Sequence, residues 1–224
     1  MKKEFDTRPE KITEQWCRDT GGFAWQDFVT AIPLPVFVVT GWKSNGKGNA
    51  CLQSWSTFTG VGTDDFICIF ARVAKNGHMY KSLKETGVCV LNFPSGDIYE
   101  RCVKTIGNNQ FEADEITAAG LTPEKAVKVN APRIKECFLN IECKFLWEHE
   151  LIEGSNGMTV AVKAVHLCMD SDYYDQEKTG RYGRNGYQFF IHLPTNPETG
   201  IITHMGPVSI ETEKLTKPPE WNTK

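Results

Sequence analysis

PLPVFVVTGWKSNGKGNACLQSWSTFTG, Pro33 to Gly60, is the stretch on which the fold turns. Pro33 and Pro35 keep the entering chain extended, because a proline ring fixes φ and disfavours helix in the residue before it. VFVVTGW then reads as an apolar, β-branched strand. Asn45-Gly46, inside SNGKGN, is a strong two-strand turn signal, since tight hairpins need positive φ and these two residues adopt it readily. The returning strand, GNACLQSWSTFTG from Gly48 to Gly60, does not alternate cleanly. It sets Gln53, Ser54, Ser56, Thr57 and Thr59 around one large aromatic, Trp55, where a strand against a plain core would place oil at every second position.

Working outward, Thr63-Asp64-Asp65 turns the chain into FICIFA (66–71), predicted as a strand apolar on both faces. Asn76-Gly77 ends it, and His78 to Thr86 reads as a short helix stopped by Gly87. VCVLNF (88–93) is the next strand. Asp97 can cap a helix DIYERCVKTIG whose Ile98, Cys102 and Ile106 share one face. Residues 110–132 are polar and mixed, predicting short helix and loop. Leu139, Ile141, Cys143, Phe145 and Trp147 alternate with more polar neighbours as a half-buried strand, and EGSNG turns it into MTVAVKAVHLCM. Residues 170–186 form a charged, aromatic loop, 187–193 a late strand or cover, and the polar tail with Pro218-Pro219 is predicted to be loose. Many strands, tight turns and few short helices predict a mainly β protein built as a closed or nearly closed antiparallel barrel. The expected division is an extension over 1–30, one domain over 31–195 and a tail over 196–224.

The 224 residues suit one domain with a real core. A formal charge of −3 with no basic patch argues against nucleic acid. The best apolar run, 31–42, is interrupted by two prolines and too short for a bilayer, and no apolar stretch follows the charged N-terminal residues as a secretory signal would require. Eight cysteines, with no C-x-x-C pair and mostly inside apolar runs, read as reduced buried thiols of a cytoplasmic protein. The five histidines are scattered, so no metal site is expected.

Nucleotide-binding glycine motifs and a nucleophile elbow are absent. Three features remain. QSWST, Gln53 to Thr57, is either a strand whose hydroxyls pair locally or a row of donors facing a polar, planar ligand. ARVAKNGH, with Arg72, Val73, Lys75 and His78, is either a solvated turn or a cationic loop before a helix start, suited to phosphate. GRYGRNGYQFF, 180–190, is either a surface loop or a cover over a site.

The order of these segments carries a resemblance. From Pro33 to Gly60, through FICIFARVAKNGHMYKSLKETGVCVLNFPS and GLTPEKAVKVNAPRIKECFLNIECK, the chain resembles the flavin reductase-like family with the FMN-binding split-barrel fold, the group that includes flavoredoxin. The matching elements are the Pro33/Pro35 entry, Asn45-Gly46, Asn49, Ser54-Trp55-Ser56-Thr57, the helix end Lys84–Gly87 and Leu91–Ser95. Two positions depart from the family pattern: Asp64-Asp65 stands where the family has paired prolines, and Met79 where it has threonine. The resemblance implies an antiparallel split barrel that binds FMN without a covalent link, as a homodimer with flavin at the interface. It implies that Gln53, Ser54, Trp55, Ser56 and Thr57 line the ring and ribityl chain, and that Arg72, Val73, Lys75 and His78 lie near the phosphate, with Lys75, Tyr80 or Lys81 standing in for the missing threonine. No protein catalytic residue is required, because the flavin carries the chemistry and NAD(P)H is the expected electron donor. Two other readings stay open: an FMN electron carrier serving a redox protein partner, and a barrel for another cofactor such as haem, with His78 or His166 as axial ligand.

Overall fold

A computed structural model of the chain describes residues 2–20, 22–174 and 181–211. The Pro218-Pro219 tail and positions 175–180 of the charged loop lie outside the described residues. After two short helices, α1 (Glu14–Asp19) and α2 (Trp25–Thr30), come strands β1 (Leu34–Pro35), β2 (Phe37–Trp42), β3 (Gly48–Gln53), β4 (Ser56–Val61) and β5 (Asp65–Ala74). Helix α3 (His78–Thr86) precedes β6 (Val88–Phe93), and α4 (Tyr99–Gly107) and α5 (Glu115–Ala118) precede β7 (Pro123–Lys125) and β8 (Pro132–Ile134). Two long strands, β9 (Leu139–Glu150) and β10 (Gly157–Met169), are followed by α6 (Ser171–Tyr174), β11 (Gln188–Phe190) and β12 (Val208–Ser209).

Seven strands form one antiparallel sheet in the order β3-β2-β6-β9-β10-β5-β4. Its two edge strands, β3 and β4, are consecutive in sequence and joined only by Ser54 and Trp55. The chain therefore crosses from one edge of the sheet to the other in two residues, so the sheet must curl until its edges meet. This is a split barrel, as the sequence predicts. The single strand expected over 48–60 is two strands with different partners: Gln53 pairs with Phe37 on β2, while Ser56 pairs with Phe70 on β5. Phe37, Phe70, Leu91 and Phe138, all under 2% exposed, fill the interior, where aromatic edges meet faces at about 6 Å (Phe37–Phe70, 6.1 Å).

Local signals hold where they depend on turns. Gly46 takes φ +78 in the β2–β3 hairpin, and Gly87 takes φ +67 as it ends α3. Two expectations are corrected. FICIFA is fully buried on one face only: Cys68 and Phe70 point inward, while Ile67 and Ile69 on the opposite face are half-buried; Phe66 shares the inward face but is exposed at the start of the strand. The helix predicted from Asp97 begins as a single 3₁₀ turn, Gly96–Ile98, and becomes α-helical at Tyr99.

The start of β9 is buried on both faces, against the half-buried reading. The segment running through β7 and β8 covers it, and the outward-pointing polar residues become anchors. Asn92 is fully buried; its amide nitrogen donates to Val38 O and Thr40 Oγ1, both at 2.9 Å, and its oxygen accepts from Ile134 N and Asn140 Nδ2. Glu142 accepts N–H bonds from Val127 (2.8 Å), Lys128 (2.6 Å) and Val129 (3.2 Å) and is paired with Arg133. Burial alone would raise the Glu142 carboxyl; the Val127 N–H, the Arg133 guanidinium and the Lys128 N–H overcome that and hold it below the usual carboxylate range.

A group whose pKa falls on folding adds stability above its unfolded pKa, and that stability is lost as pH drops through the folded value. Glu142→Gln is thus expected to lose about 3 kcal/mol at pH 7, because it takes from the buried Arg133 its buried charge partner and leaves only the exposed Glu124 at 3.7 Å. The gap from wild type should narrow below about pH 4 as the wild-type carboxyl protonates. Urea unfolding at the two pH values measures this, and a gap that stays constant contradicts it.

Candidate functional site

Two cavities meet along β3, on the side of the Ser54–Trp55 corner. The wider, about 440 Å³, runs past Gln53, Ser54 and Trp55 to Tyr99 and Val103 of α4 and Phe190 of β11. The narrower, about 290 Å³, continues past Asn49 and Val73 to Gly77, His78 and Met79 at the start of α3. They share Cys51, Leu52, Arg72 and Ile106, so they form one elongated cleft with Arg72 at its waist. Their sizes suit small-molecule binding.

The narrow end presents a helix start. The N-cap of α3 is Gly77, which has no side chain to satisfy the free N–H groups of the first turn. His78 lies there, its Nδ1 3.6 Å from Glu115 Oε1. Glu115 is itself buried against Lys43 at 2.7 Å, and its other oxygen accepts Ala50 N, so its charge is compensated within the wall. Val73 and Met79 are buried and give this end an apolar floor.

Arg72 reaches the waist through a backbone irregularity. Between Met158↔Val73 and Val160↔Phe70, β5 supplies Ala71 and Arg72 opposite the single residue Thr159 of β10. This is a β-bulge, a device that redirects a side chain. Arg72 takes φ +62, the left-handed region that favours glycine. Its neighbour Ala71 donates its N–H to Trp55 O at 2.9 Å, tying the bulge to the corner. The guanidinium lies 4.6 Å from the Trp55 ring and 5.3 Å from Phe23.

The wide end is aromatic. Phe23, Trp55, Phe190 and His192 pack with centroids between 4.8 and 6.2 Å. Burial, opposed by Asp27 and helped by Arg72, holds the buried His192 imidazole below its usual pKa, so it sits neutral beside the guanidinium at neutral pH. Cys51 lines both cavities as a half-buried thiol; burial raises its pKa to about 11 despite the Gln53 amide, so it is no ready nucleophile.

Of the residues singled out from sequence, Gln53, Ser54, Trp55, Arg72, Val73 and His78 line this cleft. Ser56 and Thr57 lie beyond the corner on β4 and line neither cavity; Ser56 Oγ donates to Ser54 O at 3.3 Å, and Thr57 is exposed. Lys75 is paired with Glu150, and Tyr80 donates to Glu148 at 3.0 Å, so both are engaged on β9. Lys81 borders a separate small cavity, and His166 lines neither half of the cleft. Among the described residues no three His, Cys, Asp or Glu side chains gather to hold a metal ion, and no helix is long and apolar enough to cross a membrane. Sequence reasoning missed Phe23, Glu115, Tyr99 and Val103, and it set Ile106 on one face with Ile98 and Cys102; those two are buried, whereas Ile106 is 63% exposed and joins Tyr99 and Val103 in a cleft-facing stripe on α4. The stripe had a signal: its i, i+4, i+7 spacing is a second apolar face, turned away from the buried Ile98 and Cys102.

The flavin reductase like domain model matches residues 29–183. The chain belongs to the flavin reductase-like family. It is 30% identical over 148 residues to an uncharacterized protein of Methanothermobacter thermautotrophicus, covering 65% of this chain and 68% of that one. Its fold is similar to nitrilotriacetate monooxygenase component B from Bacillus cereus (TM-score 0.71, 15% identity, 96% of this chain and 100% of that one). It is also similar to flavoredoxin of Desulfovibrio vulgaris (TM-score 0.68, 16% identity, 100% and 99%). At those identities the structural likeness shows the fold alone; membership of the family makes this chain a flavin-related oxidoreductase.

The bulge makes a prediction about stability. Arg72→Ala and Arg72→Gly both remove the guanidinium, but only glycine relieves the left-handed backbone. Arg72→Gly is expected to be more stable than Arg72→Ala by about 1 kcal/mol. Thermal or urea unfolding of the pair checks this; equal stability contradicts a strained Arg72.

Proposed function

We propose that the cleft holds FMN and that the protein is an NAD(P)H-dependent flavin reductase. The observation that carries this reading is the continuity of one cleft, about 440 Å³ of aromatic wall leading past Arg72 into about 290 Å³ ending at a free helix start. An elongated ligand, planar at one end and anionic at the other, has the matching chemistry. FMN rather than FAD is favoured because the narrow end closes on α3 and on the Lys43–Glu115 pair, with the phosphate as the terminal group.

When bound, the flavin supplies the hydride-accepting chemistry, and the chain supplies position. The first-turn N–H groups of α3, Arg72 and His78 would hold the phosphate. The Gln53 amide and Ser54 hydroxyl, both buried, would meet polar groups of the ring or ribityl chain and place them without water. Trp55, Tyr99 and Phe190 would wall the ring end and exclude solvent. His78 at the narrow end and His166 outside the cleft offer no pair of axial positions, which disfavours haem. Val103 and Ile106 are 37% and 63% exposed beside the cleft, apolar surface that a second copy of the chain would cover in a homodimer.

The purified protein, incubated with FMN and desalted, is expected to keep a two-banded flavin spectrum and to oxidise NADH or NADPH when free flavin is added. Retained FMN without nicotinamide turnover favours an electron carrier instead. Arg72→Ala is expected to weaken FMN roughly tenfold while leaving riboflavin almost unchanged, because a charge-assisted contact to the phosphate is lost. Equal weakening of both ligands overturns the phosphate assignment.

A further inference from the structure

Phe23 lies outside the matched region 29–183, yet it lines the cleft. The segment that carries it is firmly seated. Phe28 and Ile12 are fully buried and Trp16 packs on Phe28 at 4.5 Å, forming a small core of their own with Leu193. Thr195 donates its N–H to Phe28 O at 2.9 Å, fastening α2 to the chain beyond β11. From this base two neighbouring residues reach the waist of the cleft. Gly22 O accepts a hydrogen bond from Arg72 Nη2 at 3.2 Å, and the Phe23 ring stands 5.3 Å from the guanidinium and 5.1 Å from Trp55.

Arg72 is thus an exposed cation on a left-handed bulge, held by three groups: one ring from the barrel corner, one ring and one carbonyl from the N-terminal segment. An arginine side chain has many rotamers, and a ligand that needs it in one place bears the ordering cost unless the protein has met it already. We infer that Phe23 is a positioning residue: with Gly22 it fixes Arg72 at the waist of the cleft, so the N-terminal segment sets how strongly the site prefers a phosphorylated flavin over one without phosphate. The inference rests on the FMN reading above, since the ligand's phosphate is what Arg72 would meet.

The test is a double-mutant cycle on Phe23 and Arg72, with the dissociation constants of FMN and riboflavin measured side by side on the full chain. Phe23→Ala is expected to weaken FMN about two- to fivefold, the scale of an exposed cation–π contact, and to leave riboflavin within error. Phe23→Leu, which keeps apolar bulk but has no ring face, should behave like Phe23→Ala, and Phe23→Trp should restore the preference. In the Arg72→Ala background, Phe23→Ala should have no further effect on the FMN-to-riboflavin ratio.

Each outcome is decisive. If Arg72→Ala itself leaves the ratio unchanged, the phosphate assignment fails and this inference fails with it. If Arg72→Ala lowers the ratio but Phe23→Ala and Phe23→Leu do not, or lower both affinities equally, the FMN reading stands and the positioning role is overturned. A ratio lost in Phe23→Leu and recovered in Phe23→Trp, with both proteins melting alike, supports it against a merely structural effect of the segment.

Discussion

The two-residue corner Ser54–Trp55 is the constraint from which the rest of the structure follows. It joins the two outer strands of a seven-stranded sheet, and residues adjacent in sequence cannot be a sheet's width apart. The sheet must close on itself. Closure along this seam is incomplete, because β3 pairs with β2 and β4 pairs with β5, and no ladder joins β3 to β4. The opening on the β3 side of the corner is where the cleft lies. A hydroxyl and an indole at the corner therefore stand at the mouth of a binding site, and the polar residues that spoil the alternation of the strand are located there for the same reason.

The cleft needs rigid walls, and much of that rigidity comes from buried polar groups. Asn92, Asn140 and the Glu142–Arg133 pair bind the covering segment to β6 and β9, each with its partners in place. The Lys43–Glu115 pair ties the β2–β3 hairpin to α5 and so fixes the wall behind the start of α3. Such groups add little net stability when satisfied and cost much when one partner is removed, so they favour a single arrangement of the walls. The strained bulge at Arg72 is the opposite case, a local cost kept where a side chain must be redirected into a site.

The large aromatic cavity on the far side of β1 and β11, about 610 Å³, shares a wall with the cleft. Pro35 and Phe189 pair in register and face that cavity, while their neighbours Val36 and Phe190 face the cleft. Where β1 and β11 pair, the three-stranded sheet β1-β11-β12 carries apolar side chains on both faces and separates two spaces.

The sequence alone settled the features that depend on neighbours along the chain. Asn45-Gly46, Gly77, Gly87 and the proline entry are local conformational preferences, and they place the hairpin, the limits of α3 and the strand starts without reference to the rest of the molecule. The order of those signals was enough for the family and the barrel, and QSWST and ARVAKNGH named Gln53, Ser54, Arg72 and His78 of the cleft's charged and polar lining, while Tyr99, Thr105, Asn109 and Glu115 come from elsewhere in the chain. Tertiary structure decided what local preference cannot express. The break of one strand into β3 and β4 depends on which distant strand each half pairs with. The engagement of Lys75 and Tyr80 with Glu150 and Glu148 depends on β9 passing close by, and the burial of Glu115 depends on Lys43, 72 residues earlier in the chain. Phe23 reaches the site because the segment before the barrel folds back onto Phe190 and His192, a contact between the two ends of the described chain that no local pattern encodes.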